Sequence, residues 1–140
     1  MKTFVVSAVS IVLVSILFCP MVMAAPSMPA DLQIVQPDPS LPKELAGFWG
    51  KWEGSDQWMK FFLIVEKIDE EKASLYIWRS GSGIGSTPEG WERIEAKVIK
   101  EGRKYKLWYP GRFGNVEYTL KGKYLDCSLS GGGYRLTRVP

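Results

Sequence analysis

The stretch Leu45-Ala46-Gly47-Phe48-Trp49-Gly50-Lys51-Trp52-Glu53-Gly54 decides how the rest of this 140-residue chain is read. It holds two overlapping Gly-x-Trp triplets, Gly47-Phe48-Trp49 and Gly50-Lys51-Trp52. Glycine lets a second backbone come close, and tryptophan brings a large apolar ring whose N–H needs a partner. Those properties suit the first strand of a small sheet that closes on itself.

Downstream of this stretch the apolar residues recur with period two between short turn signals, the mark of antiparallel strands. Phe61-Phe62-Leu63-Ile64-Val65 is almost continuously apolar and leads into the charged turn Asp69-Glu70-Glu71-Lys72. Leu75 and Ile77 then alternate with Tyr76 and Trp78, and a Gly- and Ser-rich loop spans residues 80–90. Ile94, Ala96 and Val98 form the next inward set, followed by Tyr105, Leu107 and Tyr109, then Val116, Tyr118 and Leu120. Leu125, Cys127 and Leu129 come next, and Tyr134 and Leu136 finish the chain. Counting the opening stretch, the pattern predicts eight short sequential strands and no long helix. Such a meander closes into a single eight-stranded antiparallel up-and-down β-barrel, which removes exposed edges. A β-sandwich is the alternative all-β arrangement.

Upstream, residues 1–24 read as a secretory signal peptide. Lys2 supplies the positive start, an apolar run extends from Phe4 to Cys19, and Val22-Met23-Ala24 fits a cleavage site. An uncleaved membrane anchor is the alternative reading of the same run. Phe18 before Cys19 is too bulky for a typical lipoprotein signal. Residues 25–44 read as a Pro-rich tether, a spacer or an arm on the barrel surface. Six of the nine prolines lie between Pro20 and Pro42, whereas all fourteen glycines lie at Gly47 or beyond. The barrel domain is therefore placed at 45–140. The expected location is outside the cytoplasm, periplasmic or secreted, with membrane contact only if the signal stays uncleaved.

Composition removes several functional classes. The chain has no His, which takes away the commonest general base and the commonest metal ligand. A formal charge of +3 is too small to argue for nucleic acid. Cys19 lies in the export segment, so the mature chain keeps Cys127 alone and no internal disulfide is expected. Cys127 shares the face of Leu125 and Leu129 and reads as a small buried residue.

The Gly-x-Trp of the opening stretch, at Gly47-Phe48-Trp49 or Gly50-Lys51-Trp52, resembles that of the calycins, the superfamily of lipocalins, fatty-acid-binding proteins and avidins. The resemblance implies that this Trp packs at the closed end of the barrel against an Arg near the chain end, here Arg135 or Arg138. Physically this is a cation–π lock between first and last strands. The chain departs from a typical lipocalin in its short length, its lack of a clear C-terminal helix and its lack of a disulfide pair. No polar set for biotin is recognisable, so no ligand carries over from avidins.

Ligand-lining candidates are Trp49, Trp52, Trp78, Tyr118 and Tyr134, as an enclosure for a small apolar molecule. The blander reading of the tryptophans is that they fill or cap the barrel. Trp58, Trp91 and Tyr109 lie near turns, where aromatics can stack on sugar rings. Glu53 and Asp56 are carboxylates close in sequence, but nothing marks them as a hydrolytic pair. Asp69-Glu70-Glu71 lacks the spacing of a calcium loop. Lys97, Lys100, Arg103, Lys104, Lys106 and Arg112 form a basic region around Tyr105 and Trp108. The expected function is thus non-enzymatic: an exported barrel that binds a small apolar ligand or an envelope protein, without cofactor or metal. The alternative is an envelope-associated surface-interaction or carbohydrate-binding module with a filled barrel.

Overall fold

The computed structural model describes residues 26–56, 59–81 and 90–140, so residues 1–25, on which the signal-peptide expectation falls, Trp58 and most of the Gly/Ser loop lie outside the described residues. Its elements are a helical turn α1 (Lys43–Ala46) and eight strands. These are β1 (Gly50–Ser55), β2 (Met59–Ile68), β3 (Lys72–Gly81), β4 (Gly90–Glu101), β5 (Lys104–Gly111), β6 (Gly114–Lys121), β7 (Tyr124–Leu129) and β8 (Gly132–Val139). All neighbours are antiparallel in sequence order, and β8 returns to β1, which closes the barrel. The up-and-down barrel is therefore the fold, and the sandwich alternative falls away.

Closure fixes which face is inside. Trp52 faces Leu63, Leu63 faces Ile77, Leu75 faces Ile94, and Leu107 faces Tyr118 across their ladders. Tyr118 in turn faces Cys127, and Leu125 faces Leu136. These residues form one continuous buried core. The alternation read from the sequence thus assigns the two faces correctly through most of the barrel.

Two local features were not legible. Residues 45–48 do not begin the first strand, because Leu45 and Ala46 belong to α1. Leu45 and Phe48 are fully buried and plug one end of the barrel. The second feature is a bulge in β2: Val65 pairs with Leu75 and Lys67 with Ser74, so Glu66 is an extra residue. The shift turns Ile68 inward opposite Ala73 and leaves Lys67 in water.

The tether segment has contacts of its own. The Gln33 N–H donates to Glu66 Oε1 at 2.7 Å, and the Val35 N–H donates to the Glu66 carbonyl at 2.9 Å. The indole N–H of Trp91 donates to the Ser27 carbonyl at 2.7 Å. Residues 27–35 therefore lie across the outer face of β2 to β4. Ile64, Tyr76 and Trp78 point away from the interior on that face yet are buried.

Candidate functional site

The closed end is built on Trp52. Its ring is 1% exposed, and its N–H donates to the Phe48 carbonyl at 2.9 Å. The Arg138 guanidinium sits 4.2 Å above the ring centre and donates to the carbonyls of Gly47 and Trp49. Gly50 has φ of +114°, and a Cβ there would stand 2.8 Å from Arg138 Nη1. The triplet that carries the strand is therefore Gly50-Lys51-Trp52, and its glycine is demanded by both backbone and neighbour. Trp49 precedes β1 and packs partly buried against the core, its indole N–H buried without a partner among the described residues. Of the two arginines, Arg138 meets the Trp. Arg135 points outward, pairs with Asp126 at 2.7 Å and covers the Tyr124 ring.

Trp52 thus plugs the closed end and borders the groove there, not the cavity of the open half. Trp78 does not line the interior either. Its register partners are Phe62 and Trp91, on the opposite parity from Leu75 and Ile77. Tyr118 and Tyr134 do face inward, in the half of the barrel away from Trp52. Their hydroxyl oxygens are 3.4 Å apart, and the Tyr134 ring stacks on Phe61 at 3.8 Å and 6°. Gly54 sits between the strands of that stack, where a Cβ would run into the Arg135 carbonyl oxygen. Cys127 lies opposite both tyrosines, and burial pushes its thiol pKa up. That agrees with an inert packed side chain.

The open half contains two residues, Arg79 and Tyr109, outside the ligand-lining set read from the sequence. Arg79 continues the inward parity of Leu75 and Ile77, opposite Phe61. Its side chain is 25% exposed, and the one carboxylate within ion-pair reach among the described residues is Glu92, at 4.0 Å. Tyr109, whose place near a turn suggests sugar stacking, is only 3% exposed and faces inward opposite Val116. Its hydroxyl is buried beside Tyr118 and the Arg79 guanidinium, without a hydrogen bond of full geometry to either. Burial lifts its phenol above the ordinary value of 10.0, against the pull of nearby Arg79, so it is a neutral O–H at pH 7. The signal for Arg79 was available: a charged residue on the inward parity at the end of an otherwise apolar strand.

A cavity of about 570 Å³ joins these groups. It exists because the β4–β5 ladder runs only from Lys97↔Trp108 to Glu101↔Lys104. Residues 90–96 pair with β3 but not with the end of β5, where Pro110 has no N–H to donate. Ile77, Ile94 and Phe113 supply apolar wall, while Arg79, Tyr109 and Glu92 supply the polar part.

The remaining candidates are dispersed. Lys97 lies over Trp108, Lys100 over Tyr105 and Arg112 over Phe113, while Lys106 pairs with Glu101 and Glu117. Arg103 and Lys104 instead join Lys43, Lys123 and Arg138 around a closed-end groove of about 530 Å³. Asp69 accepts from the backbone N–H groups of Glu71 and Lys72, which shapes the hairpin tip. Asp56 does the same for Met59, and Glu53 is exposed on the outer face of β1. Trp91 is tied to Ser27, and Trp58 lies outside the described residues. Comparison of the chain with protein-family models, curated proteins and solved structures returned no match.

Proposed function

We propose that this chain is an exported, non-enzymatic, calycin-like barrel that encloses a small, mainly apolar molecule in its open half. The observation that carries the reading is the cavity of about 570 Å³ reaching inward to Ile77 and Tyr109. That volume falls within the roughly 300–1,000 Å³ typical of small-molecule sites. One end of the barrel is plugged by Leu45, Phe48 and Trp52, so the open half is the accessible interior. The Arg138–Trp52 stack, tying last strand to first, supports the calycin-like part of the reading. Tyr118 and Tyr134 face inward in the same half, but the wall of this cavity is formed by other residues, Ile77, Arg79, Ile94, Tyr109 and Phe113 among them.

Native mass spectrometry of the protein purified from an exporting host tests it. A reproducible extra mass that disappears on denaturation is expected. A clean apo mass, together with no uptake of small apolar probes, would remove the reading.

A second reading, an envelope-associated surface module, is favoured by the closed-end groove. Lys43, Arg103, Lys104, Lys123 and Arg138 line it with Glu44 as the one acid. Binding to an anionic surface that weakens with salt, and on charge reversal at Lys104 and Lys123, would favour this reading.

A further inference from the structure

We infer that the closed-end groove grips a surface-borne head group that carries two phosphates on one small body, held by Lys43, Arg103, Lys104 and Lys123. This rests on the surface-module reading and adds the chemistry of the group that the surface presents.

Charge pairing sets this groove apart from the rest of the barrel. Lys72, Arg79, Arg93, Lys106 and Arg135 each have a carboxylate within ion-pair reach. Lys43, Arg103, Lys104 and Lys123 have none among the described residues, although all four line one groove of about 530 Å³. Glu101 stands opposite Lys104 in the β4–β5 ladder but pairs with Lys106 at 2.7 Å. Glu44 is the one acid on the groove wall. Arg138 is already engaged with the Trp52 ring and the carbonyls of Gly47 and Trp49. Like charges gathered without a counter-charge repel one another, and a multivalent anion relieves that repulsion.

Tight turns position these cations. Arg103 and Lys123 each take the second place of a two-residue hairpin turn, after Gly102 and Gly122 with φ of +63° and +62°. Such turns fix where the side chains start, so less ordering cost is left for binding. Lys43 joins them from α1.

The amount of charge selects the anion. A phosphate monoester carries about −1.5 to −2 at pH 7 and offers three strong acceptor oxygens. A lone carboxylate or phosphodiester carries less and leaves most of the positive charge unmatched. Two phosphates on one body match it, and the guanidinium fork of Arg103 suits a phosphate with paired N–H donors. Tyr105, Thr119 and Leu120 line the same groove and supply wall for the carbon atoms between the phosphates.

The test is co-sedimentation of protein made from the full chain in an exporting host with two kinds of phosphatidylcholine vesicle. One carries phosphatidylinositol 4-phosphate, whose head group has two phosphates. The other carries phosphatidylglycerol at equal total charge. The first is expected to bind at least about tenfold more tightly, the scale of one charge-assisted hydrogen bond. Arg103→Gln with Lys104→Gln, both at exposed positions, should remove that preference. Lys67→Gln with Lys97→Gln removes as much charge from exposed positions outside the groove and should keep it. Glucose 1,6-bisphosphate should displace the protein from the first vesicles at least about tenfold more effectively than glucose 6-phosphate. Equal binding to the two vesicles, equal displacement by the two sugars, or a preference that survives Arg103→Gln with Lys104→Gln overturns the head-group inference and leaves the surface reading standing. A preference lost equally in the Lys67 and Lys97 control does the same. Tighter binding of free glucose 1,6-bisphosphate than of the vesicles overturns the surface-borne source. Binding to neither vesicle overturns both.

Discussion

Arg138 lies 4.2 Å above the ring of Trp52, and the two face each other directly across the β1–β8 ladder. This pair joins the first strand to the last at the position where the barrel closes. The same guanidinium donates to the carbonyls of Gly47 and Trp49, so it also ties down the segment that leads from α1 into β1. One side chain thereby closes the sheet and fixes the plug beneath it.

Trp52→Ala is expected to destabilise the protein by about 3–5 kcal/mol, as for other large aromatic truncations in a packed core. Trp49→Ala should cost clearly less, since that ring is only partly buried. Urea unfolding of both variants checks the difference. Equal, small losses would mean that the closed end is not held by Trp52.

Gly50→Ala should cost about 1–3 kcal/mol, because φ of +114° is strained for an L-residue and the new Cβ meets Arg138. Gly132→Ala is the matched control, with nothing within 4 Å of the added carbon. Its effect should stay within about 1 kcal/mol of zero. Thermal melts of the two variants would show the contrast, and a neutral Gly50→Ala would contradict this account of the turn into β1.

Glu66 is 3% exposed, accepts from the Gln33 N–H and pairs with Arg93 at 3.1 Å. Glu66→Ala strands the Gln33 donor and the charge of Arg93, a loss of about 1–3 kcal/mol. Hydrogen exchange should speed up at Gln33, and the segment 27–35 should become more open to protease. Unchanged exchange at Gln33 would show that the segment is held by other contacts.

The pH dependence has opposite signs at the two extremes. Backbone N–H donation from Glu71, and the guanidinium of Arg135, hold Asp69 and Asp126 below the ordinary 3.8. Such groups stabilise the fold above the unfolded value, and that contribution is lost as pH falls through the lower folded value. Burial raises Tyr109, and lifts Tyr118 and Tyr134 well above 10.0. The unfolded chain then ionises first, so stability should also fall above about pH 10. Unfolding followed with tyrosinate absorbance should show these phenols titrating only as the barrel opens. Free titration of all six tyrosines in the folded state would refute the enclosed position of these three.

Much of the architecture was legible because strand alternation is a local property. The inward set Leu63, Val65, Leu75, Ile77, Val116, Tyr118 and Tyr134 follows from period two alone, and the register confirms it, whereas Leu129, expected with them, is 38% exposed at the end of β7. Hairpin turns such as the one at Gly102, with φ of +63°, are likewise written in neighbouring residues. The bulge at Glu66 was not legible, because it depends on which residue of β3 each β2 residue meets.

The sequence by itself determined an all-β chain of eight strands with a Gly-x-Trp start and a Pro-rich lead-in, since each is carried by residues close together in the chain. Tertiary structure alone decided that Arg138 rather than Arg135 covers Trp52, that residues 27–35 bond to Glu66 and Trp91, and that Arg79 and Tyr109 share a cavity. Those relationships span tens of residues. They depend on closure of the sheet and on where the β4–β5 ladder stops, and neither is encoded in any single stretch.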